Sequence, residues 1–149
     1  MYKSQTSEDI ISIMNRKLVF LALFVILFVG LLSNQQSNDI ISPGTTSKFN
    51  SITSKARLNH WRDIPIGELT AKVGLEFLGT PYKDKTLEGE PEMCKINFEG
   101  MDCVTFFENS LDLARIIRKD KLEFGNLIDE TVSTRYRDNH IIDYTSRLH

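Results

Sequence analysis

The sequence contains no long run of charge of one sign, no internal repeat and only two cysteines. Its 18 lysine and arginine residues are interspersed with 20 aspartate and glutamate residues, for a net charge of -2. This balance argues against nucleic acid or an anionic membrane surface as the main partner. With 41% hydrophobic and 26% charged residues, the composition is otherwise that of an ordinary globular protein of one domain.

The two cysteines, Cys94 and Cys103, lie nine positions apart. In an oxidising compartment they could form a disulfide, whereas a catalytic thiol would have to stay free. The spacing alone leaves both alternatives open.

An apolar run of 15 residues, 18–32, is the strongest compositional signal of the N-terminal region. Arg16 and Lys17 precede it, and no cysteine that could carry a lipid follows it. A bilayer-spanning helix needs about 20 apolar residues, while the core of a signal peptide has about 7–15 after a basic segment. Residues 1–33 are therefore predicted to be a signal peptide, with an uncleaved membrane anchor as the alternative.

This segment predicts an exported protein, periplasmic if the signal is cleaved and anchored in the inner membrane if it is not. The acidic Glu8 and Asp9 fit a signal peptide poorly, so we expect translation to start at Met14. Residues 34–48 are rich in polar residues and are predicted to form a flexible linker. The folded domain is predicted over residues 49–149, so any contact with a membrane would involve only the N-terminal segment.

Apolar periodicity predicts several helices and one short strand in the folded domain. The helices are predicted near Phe49 and over residues 65–78, 102–119 and 124–136. Alternating side chains over residues 93–98 predict the strand, with Cys94 on its buried face. Asp102 is the expected N-cap of the 102–119 helix. The face of that helix predicted to be buried consists of Cys103, Phe106, Phe107, Leu111, Ala114 and Ile117.

Cys103 follows the turn at Gly100 and lies in the first turn of the predicted helix. The unpaired backbone N–H groups and the positive end of the helix dipole at that place favour a thiolate over a thiol. A thiolate is the nucleophile in covalent catalysis, and the same N–H groups could stabilise an oxyanion. The alternative is a buried packing residue, because cysteine is among the most buried residue types.

Two motifs carry a resemblance to a known superfamily: a Gly-Thr-Pro-Tyr turn at residues 79–82 and an Asp-Cys pair at residues 102–103. In this order they resemble the signature of the NlpC superfamily of cell-wall cysteine peptidases. Further stretches resemble one branch of it, the N-acetylmuramoyl-L-alanine amidase-like family. These stretches are Ile66-Gly67-Glu68-Leu69, Phe77-Leu78-Gly79-Thr80-Pro81-Tyr82, Thr86-Leu87-Glu88, Asp102-Cys103-Val104-Thr105-Phe106, Arg135-Tyr136-Arg137 and Ser146-Arg147-Leu148-His149.

The resemblance implies an α+β, papain-like NlpC-type fold, in which the helix carrying the nucleophile packs against an antiparallel sheet. This chain is expected to contain only the helical half of that fold, mostly α with a short strand. The implied substrate is peptidoglycan or its muropeptide fragments, cut at the amide bond between N-acetylmuramic acid and L-alanine. The wider superfamily more often cuts the bond from γ-D-glutamate to a diamino acid. Neither a metal nor another cofactor is implied.

Carried over by position, the resemblance makes Cys103 the catalytic nucleophile and assigns substrate binding to Tyr82, Asp102 and His149. Tyr82 could instead be a core aromatic residue beside a turn, and Asp102 could be a plain helix cap. These alternatives remain open at the level of the sequence.

The catalytic histidine of the family lies on a strand well after the nucleophile helix, and no histidine of this chain occupies that place. The three histidines present are His60, His140 and His149. Because a nucleophilic cysteine needs a base, the chain is expected to be a truncated amidase-like domain without activity. The alternative, from a different class, is a non-catalytic helical binding module tethered in the cell envelope.

Overall fold

The computed structural model describes residues 41–148, and this part of the chain is mostly helical. Its α-helices are α1 (Pro43–Leu58), α2 (Ile66–Leu75), α3 (Cys103–Arg118) and α4 (Phe124–Arg135). Short 3-10 segments are formed by Trp61–Asp63, Arg137–Asn139 and Tyr144–Ser146. Within residues 41–148, β-type pairing is limited to two isolated bridges, Tyr82 with Met101 and Tyr136 with Arg147. None of the helices in this range has the length and hydropathy needed to cross a bilayer.

Helix α1 begins at Pro43, so residues 43–48, predicted as part of a flexible linker, are helical. Ser42 is the N-cap, and its hydroxyl accepts the Thr45 N–H at 3.1 Å. Pro43 takes the first helical position, where its preset φ favours the helix and its missing N–H costs nothing. The predicted signal segment, 1–33, and the first part of the predicted linker lie outside the described residues.

The helix predicted over residues 65–78 is α2, which is followed by tight turns. It ends at Leu75, three residues earlier than predicted. The predicted residues Leu69 and Val73 are buried in it and Phe77 is buried in the turns that follow, whereas Ile66 in the first turn is exposed. The turns close at Gly79, which has a φ of +85°. A side chain would strain the backbone in that conformation, which explains a glycine at this position.

Residues 93–98 do not form the predicted strand, because no neighbouring segment pairs with them in the described part of the chain. Side chains from helices take the place of a partner strand. The Phe98 N–H donates to the hydroxyl of Thr45 at 3.0 Å, and the Lys95 carbonyl accepts from Arg135 at 2.7 Å. The alternating pattern therefore reflects the burial of Ile96 and Phe98 and not the presence of a sheet.

Helix α3 packs against both α2 and α4, and its bounds agree with the helix predicted over residues 102–119. Phe49 of α1 meets Phe124 of α4 edge to face, with ring centroids 5.0 Å apart. The buried apolar cluster includes Phe49, Ile52, Ala56, Trp61, Leu69, Val73, Phe77, Ile96, Phe98, Met101, Leu113, Ala114, Ile116, Ile117 and Leu127. This cluster holds α3 in place, with its N-terminal end directed toward the loop of residues 80–101.

Candidate active site

Cys103 is the first residue of α3, and its thiol is exposed. Asp102 caps the helix, as predicted, and its carboxylate accepts the Thr105 N–H and the Thr105 hydroxyl, each at 2.8 Å. The Thr105 hydroxyl in turn accepts the Asp102 N–H at 3.0 Å. This reciprocal capping box fixes the backbone on both sides of Cys103. The capping box itself depends only on residues within three positions of one another.

The carboxylate of Asp102 is kept ionised by the helix start. Partial burial raises its pKa, but the hydrogen bonds from the Thr105 backbone and side chain lower the pKa by more, and the net shift is downward. The negative charge therefore serves as a cap at neutral pH, as the helix dipole favours.

The Gly-Thr-Pro-Tyr turn lies beside the residues that lead into α3. The Lys83 N–H donates to the Met101 carbonyl at 3.0 Å, and the Met101 N–H donates to the Pro81 carbonyl at 3.2 Å. Tyr82 is thus bridged to Met101, two positions before Cys103. Its side chain is 77% exposed, so it is not a core aromatic residue. The two motifs that carry the resemblance, residues 79–82 and 102–103, are therefore adjacent in the fold although they are separate in the sequence.

The two thiols have different environments and are not joined. Both are free, with Cys103 exposed and Cys94 partly buried. Burial raises the pKa of Cys94 to about 11; of the smaller effects, the charge of Arg135 lowers the pKa and the charge of Glu108 raises it. Cys94 is therefore a protonated, unreactive thiol at neutral pH.

The first half of α3 buries polar side chains and exposes apolar ones, which reverses the predicted face. Phe106 and Phe107 are 43% and 58% exposed, and Cys103 is exposed as well. The buried residues of this half are Thr105, Glu108, Asn109 and Ser110. The alternative in which Cys103 is a buried packing residue is therefore wrong. In the second half of α3, Ala114 and Ile117 are buried as predicted.

A buried ion pair explains this reversal. Glu108 and Arg135 are each 1% exposed, and the closest oxygen and nitrogen are 2.8 Å apart. The Arg135 guanidinium also donates to the Lys95 carbonyl, which ties α4 to the loop before α3. A charged pair needs such complete hydrogen bonding to be buried. Neither residue was singled out as functional by sequence reasoning, although Arg135 belongs to one of the stretches that carry the resemblance.

A second ion pair holds the loop of residues 83–99 to the last described residues. Arg147 forms two hydrogen bonds with the carboxylate of Glu92, at 2.8 and 2.7 Å, and a third with the Leu87 carbonyl. The Tyr136 hydroxyl donates to the same carboxylate at 2.6 Å. Burial raises the pKa of Glu92, but the hydrogen bonds from Arg147 and Tyr136, together with the charge of Arg147, lower the pKa by more. Arg135 and Arg147 thus both hold this loop in place through hydrogen bonds to its residues.

An apolar groove of about 270 Å³ begins one turn after Cys103, between α2 and α3. Its walls include Leu75, Leu78, Phe106 and Phe107. Gly74 permits the close packing of the two helices, because a Cβ there would lie 3.2 Å from the Phe106 ring. The groove leaves an exposed apolar surface on the same side of α3 as the thiol.

Asp112 is a further buried carboxylate that the sequence did not single out. It lies in α3, has no exposed side-chain surface and accepts a hydrogen bond from the Thr134 hydroxyl of α4 at 2.6 Å. Burial raises its pKa to about 6, although the hydrogen bond from Thr134 and the charge of Arg115 act in the opposite direction. Its ionisation therefore depends on pH in the range near neutrality.

Histidines and possible metal ligands are not gathered at Cys103 in the described part of the chain. His140 contacts the Asp138 carbonyl at 2.6 Å, and His60 lines a separate cavity with Arg57 and Asp63. No hydrogen bond to the Cys103 sulfur is formed within residues 41–148, and this range contains no cluster of three potential metal ligands. His149, predicted to bind substrate, lies outside the described residues.

Two crystal structures of an N-acetylmuramoyl-L-alanine amidase from Bacteroides uniformis ATCC 8492 are similar to this chain. One shows 36% sequence identity and a TM-score of 0.52, and the other shows 34% and 0.53. Each match covers 56% of this chain and 35% of the amidase chain. This chain thus spans about a third of the length of that amidase. No curated protein matches the chain significantly.

The profile of the AmiA-like family, described as N-acetylmuramoyl-L-alanine amidase-like, matches residues 72–149. The matched range includes Tyr82, Asp102 and Cys103, together with both buried ion pairs. It also covers just over half of the chain. The protein therefore belongs to the AmiA-like family of N-acetylmuramoyl-L-alanine amidase-like proteins.

Proposed function

We propose that this chain provides the nucleophile for hydrolysis of the amide bond between N-acetylmuramic acid and L-alanine in peptidoglycan or its fragments. The observation that carries the proposal is the exposed Cys103 thiol at the capped first residue of α3. A capping box on one side and the Tyr82–Met101 bridge on the other hold that residue. The membership in an amidase-like family supports the choice of bond.

In the proposed reaction, the Cys103 sulfur attacks the lactyl carbonyl carbon and pushes an electron pair onto the oxygen. The first backbone N–H groups of a helix have no carbonyl of a preceding turn to bond to. Those that do not donate to Asp102 can stabilise the oxyanion. Collapse of the tetrahedral intermediate breaks the C–N bond, and the peptide leaves as an amine after it takes up a proton. Water then hydrolyses the thioester and frees the thiol.

The finer assignments are part of the same proposal. We place the chain in the NlpC superfamily with a papain-like fold, and we assign substrate contacts to Tyr82, Asp102 and His149. The exposure of Tyr82 and the adjacency of its backbone to Met101 support the first of these contacts. Export to the periplasm, or anchoring in the inner membrane, follows from the basic residues and the apolar run at residues 16–32.

An electrophilic substrate analogue tests the nucleophile directly. A chloromethyl ketone built on the lactyl group of N-acetylmuramic acid should alkylate Cys103 and be competed by muropeptides, as judged by peptide mass mapping. The matched variants are Cys103→Ser, which should abolish labelling, and Cys94→Ser, which should leave it unchanged. Labelling that survives in Cys103→Ser, or that muropeptides do not compete, would contradict the proposal.

We also propose that this chain alone does not turn over substrate. General-base help contributes about 10²–10⁴-fold to such reactions, whereas His140 contacts the Asp138 carbonyl and His60 lines a separate cavity. Incubation with muropeptides and chromatographic detection of released peptides beginning with L-alanine measures turnover. Cleavage lost in both Cys103→Ala and His149→Ala would overturn this statement and make His149 the base.

The second candidate is a non-catalytic binding module of the cell envelope. The observation that favours it is the apolar groove beside the exposed thiol of Cys103. Muropeptide binding measured by calorimetry separates the two functions when combined with the labelling experiment. Binding that is equal in the native chain and in Cys103→Ala, without labelling by the electrophile, would support the binding module.

A further inference from the structure

The start of α1 is hydrogen-bonded to the segment that leads into α3. Thr45, which is completely buried, accepts the Phe98 N–H on its hydroxyl oxygen at 3.0 Å. Ser42, the N-cap of α1, hydrogen-bonds the carboxylate of Glu99. Both contacts join residues more than 50 positions apart, so they result from folding and not from local sequence.

The Glu99 side chain lies over the first turn of α1. A Cβ at Gly44 would overlap its carboxylate, so a larger residue there would displace the Glu99 side chain from this place. A negative charge at a helix N-terminus is favourable because of the helix dipole. The two contacts therefore have a common geometry: residues 98–99 rest on the N-terminal end of α1.

Three attachments then hold the short segment of residues 98–102. Thr45 holds its beginning at Phe98, the Pro81–Lys83 turn holds Met101 in the middle, and the capping box holds Asp102 at its end. Phe98 is itself buried, with its ring 5.1 Å from that of Phe77. The backbone that presents Cys103 is thus fixed from its first residue to its last.

We propose that the start of α1, consisting of Ser42, Gly44 and Thr45, positions the turn that presents the Cys103 thiol. These residues precede the range matched by the family, 72–149, so this support is contributed by a part of the chain outside that match. The inference relies on the proposed function only in taking Cys103 as the reactive group. Thr45 is the central positioning residue, because its hydroxyl satisfies a buried backbone N–H for which the extended segment offers no partner.

The test is the alkylation rate of Cys103 by iodoacetamide in the full chain, measured in a Cys94→Ser background. Thr45→Val removes the hydroxyl at nearly constant volume. It should slow alkylation about fivefold, if the rate follows the population of the correctly positioned turn, because one ordinary hydrogen bond changes an equilibrium constant by about that factor. Because Cys103 is already exposed, the expected slowing reports the orientation of the thiol, and faster alkylation in Thr45→Val would contradict the positioning role. Thr45→Ser keeps the hydroxyl and should restore the native rate.

The matched control is Thr53→Val on the same helix. Thr53 is also buried, but its hydroxyl bonds only to carbonyls of α1 itself, those of Phe49 and Asn50. This variant should leave the alkylation rate unchanged even if it lowers the thermal midpoint. Glu99→Gln, at an exposed position, provides a milder variant that folds if Thr45→Val does not, and it should slow alkylation by a smaller factor.

The outcomes separate this inference from the proposed function. Equal rates in the native chain and in Thr45→Val, or equal slowing in Thr45→Val and Thr53→Val, would overturn the positioning role. A Thr45-dependent alkylation rate in a chain that the muramoyl electrophile does not label would leave the positioning role in place and contradict the amidase proposal alone.

Discussion

The two halves of α3 bury different kinds of side chain. From Leu111 to Arg118 the helix buries Ala114 and Ile117, as predicted, together with Leu113 and Ile116, whereas Leu111 is only half-buried. From Cys103 to Ser110 it buries polar side chains and exposes Phe106 and Phe107. The second half packs against apolar residues of the core, whereas the first half faces the guanidinium of Arg135 and the loop before α3.

This difference shows what periodicity can and cannot report. The helix is continuous, so its two halves cannot rotate independently, and one buried face must serve both. The buried pair of Glu108 and Arg135 occupies that face in the first half, and Phe107 is consequently exposed next to the thiol. An exposed apolar residue beside a candidate nucleophile is thus a consequence of an ion pair on the other side of the helix.

Breaking the ion pair should have the largest effect on this comparison. Arg135→Met removes the guanidinium that pairs with the buried carboxylate of Glu108, and breaking a buried pair in this way costs about 3–5 kcal/mol in the free energy of unfolding. Urea denaturation measures the loss. Arg137→Met, two positions later and exposed, is the matched control and should cost less than about 0.5 kcal/mol. Similar losses in the two variants would show that the pair does not organise α3.

Truncating an apolar side chain in each half tests the comparison directly. Leu113→Ala, in the second half, removes a completely buried side chain and should cost about 2–5 kcal/mol. Phe107→Ala, in the first half, should cost less than about 1 kcal/mol because its side chain is more than half exposed. Both values come from urea denaturation at one pH. A larger loss in Phe107→Ala would mean that the groove is occupied in solution.

Asp112 lies at the junction of the two halves and should make stability depend on pH. Burial raises its pKa to about 6 in the folded protein, so the folded state binds the proton more tightly than the unfolded chain does. Stability from this group is therefore complete below about pH 4 and is lost as the pH rises to about 6.

In Asp112→Asn this loss, about 2–3 kcal/mol between pH 4 and pH 8, should disappear. Urea denaturation at the two pH values measures it. The exposed Asp129→Asn serves as control and should keep the native pH dependence. The expected direction would be contradicted if the native chain lost no more stability from pH 4 to pH 8 than Asp112→Asn does.

The smallest expected effect concerns the cap at the start of the first half. Asp102→Ala removes the side-chain acceptor and should cost about 1 kcal/mol, whereas Asp102→Asn, which also caps, should cost only a few tenths. Because the folded pKa of Asp102 is lowered, its contribution is present at neutral pH and is lost as the pH falls through that pKa. This sign is opposite to that of Asp112. Thermal unfolding monitored by circular dichroism at pH 7 and pH 3 measures both effects. A midpoint that is unchanged in Asp102→Ala at pH 7, or lowered equally at both pH values, would contradict the prediction.

Much of the local structure could be predicted from short-range rules. The bounds of α3 and the cap at Asp102 depend on residues within four positions of one another, and the structure has both. The predicted strand over residues 93–98 failed because a strand requires a second segment. The sequence pattern of that region cannot tell whether its partner is another strand or a set of side chains such as Arg135 and Thr45.

The sequence by itself determined the bounds of α3, that Asp102 caps it and that Cys103 is its first residue, because capping and periodicity act over one or two turns. Only the tertiary structure decided that the thiol is exposed, that Tyr82 lies beside Met101 and that Phe107 faces away from the core. The physical reason is the range of the interactions: Arg135 reaches Glu108 across 27 positions, and Thr45 reaches Phe98 across 53. No local rule anticipates which distant group will satisfy a buried charge or a buried N–H.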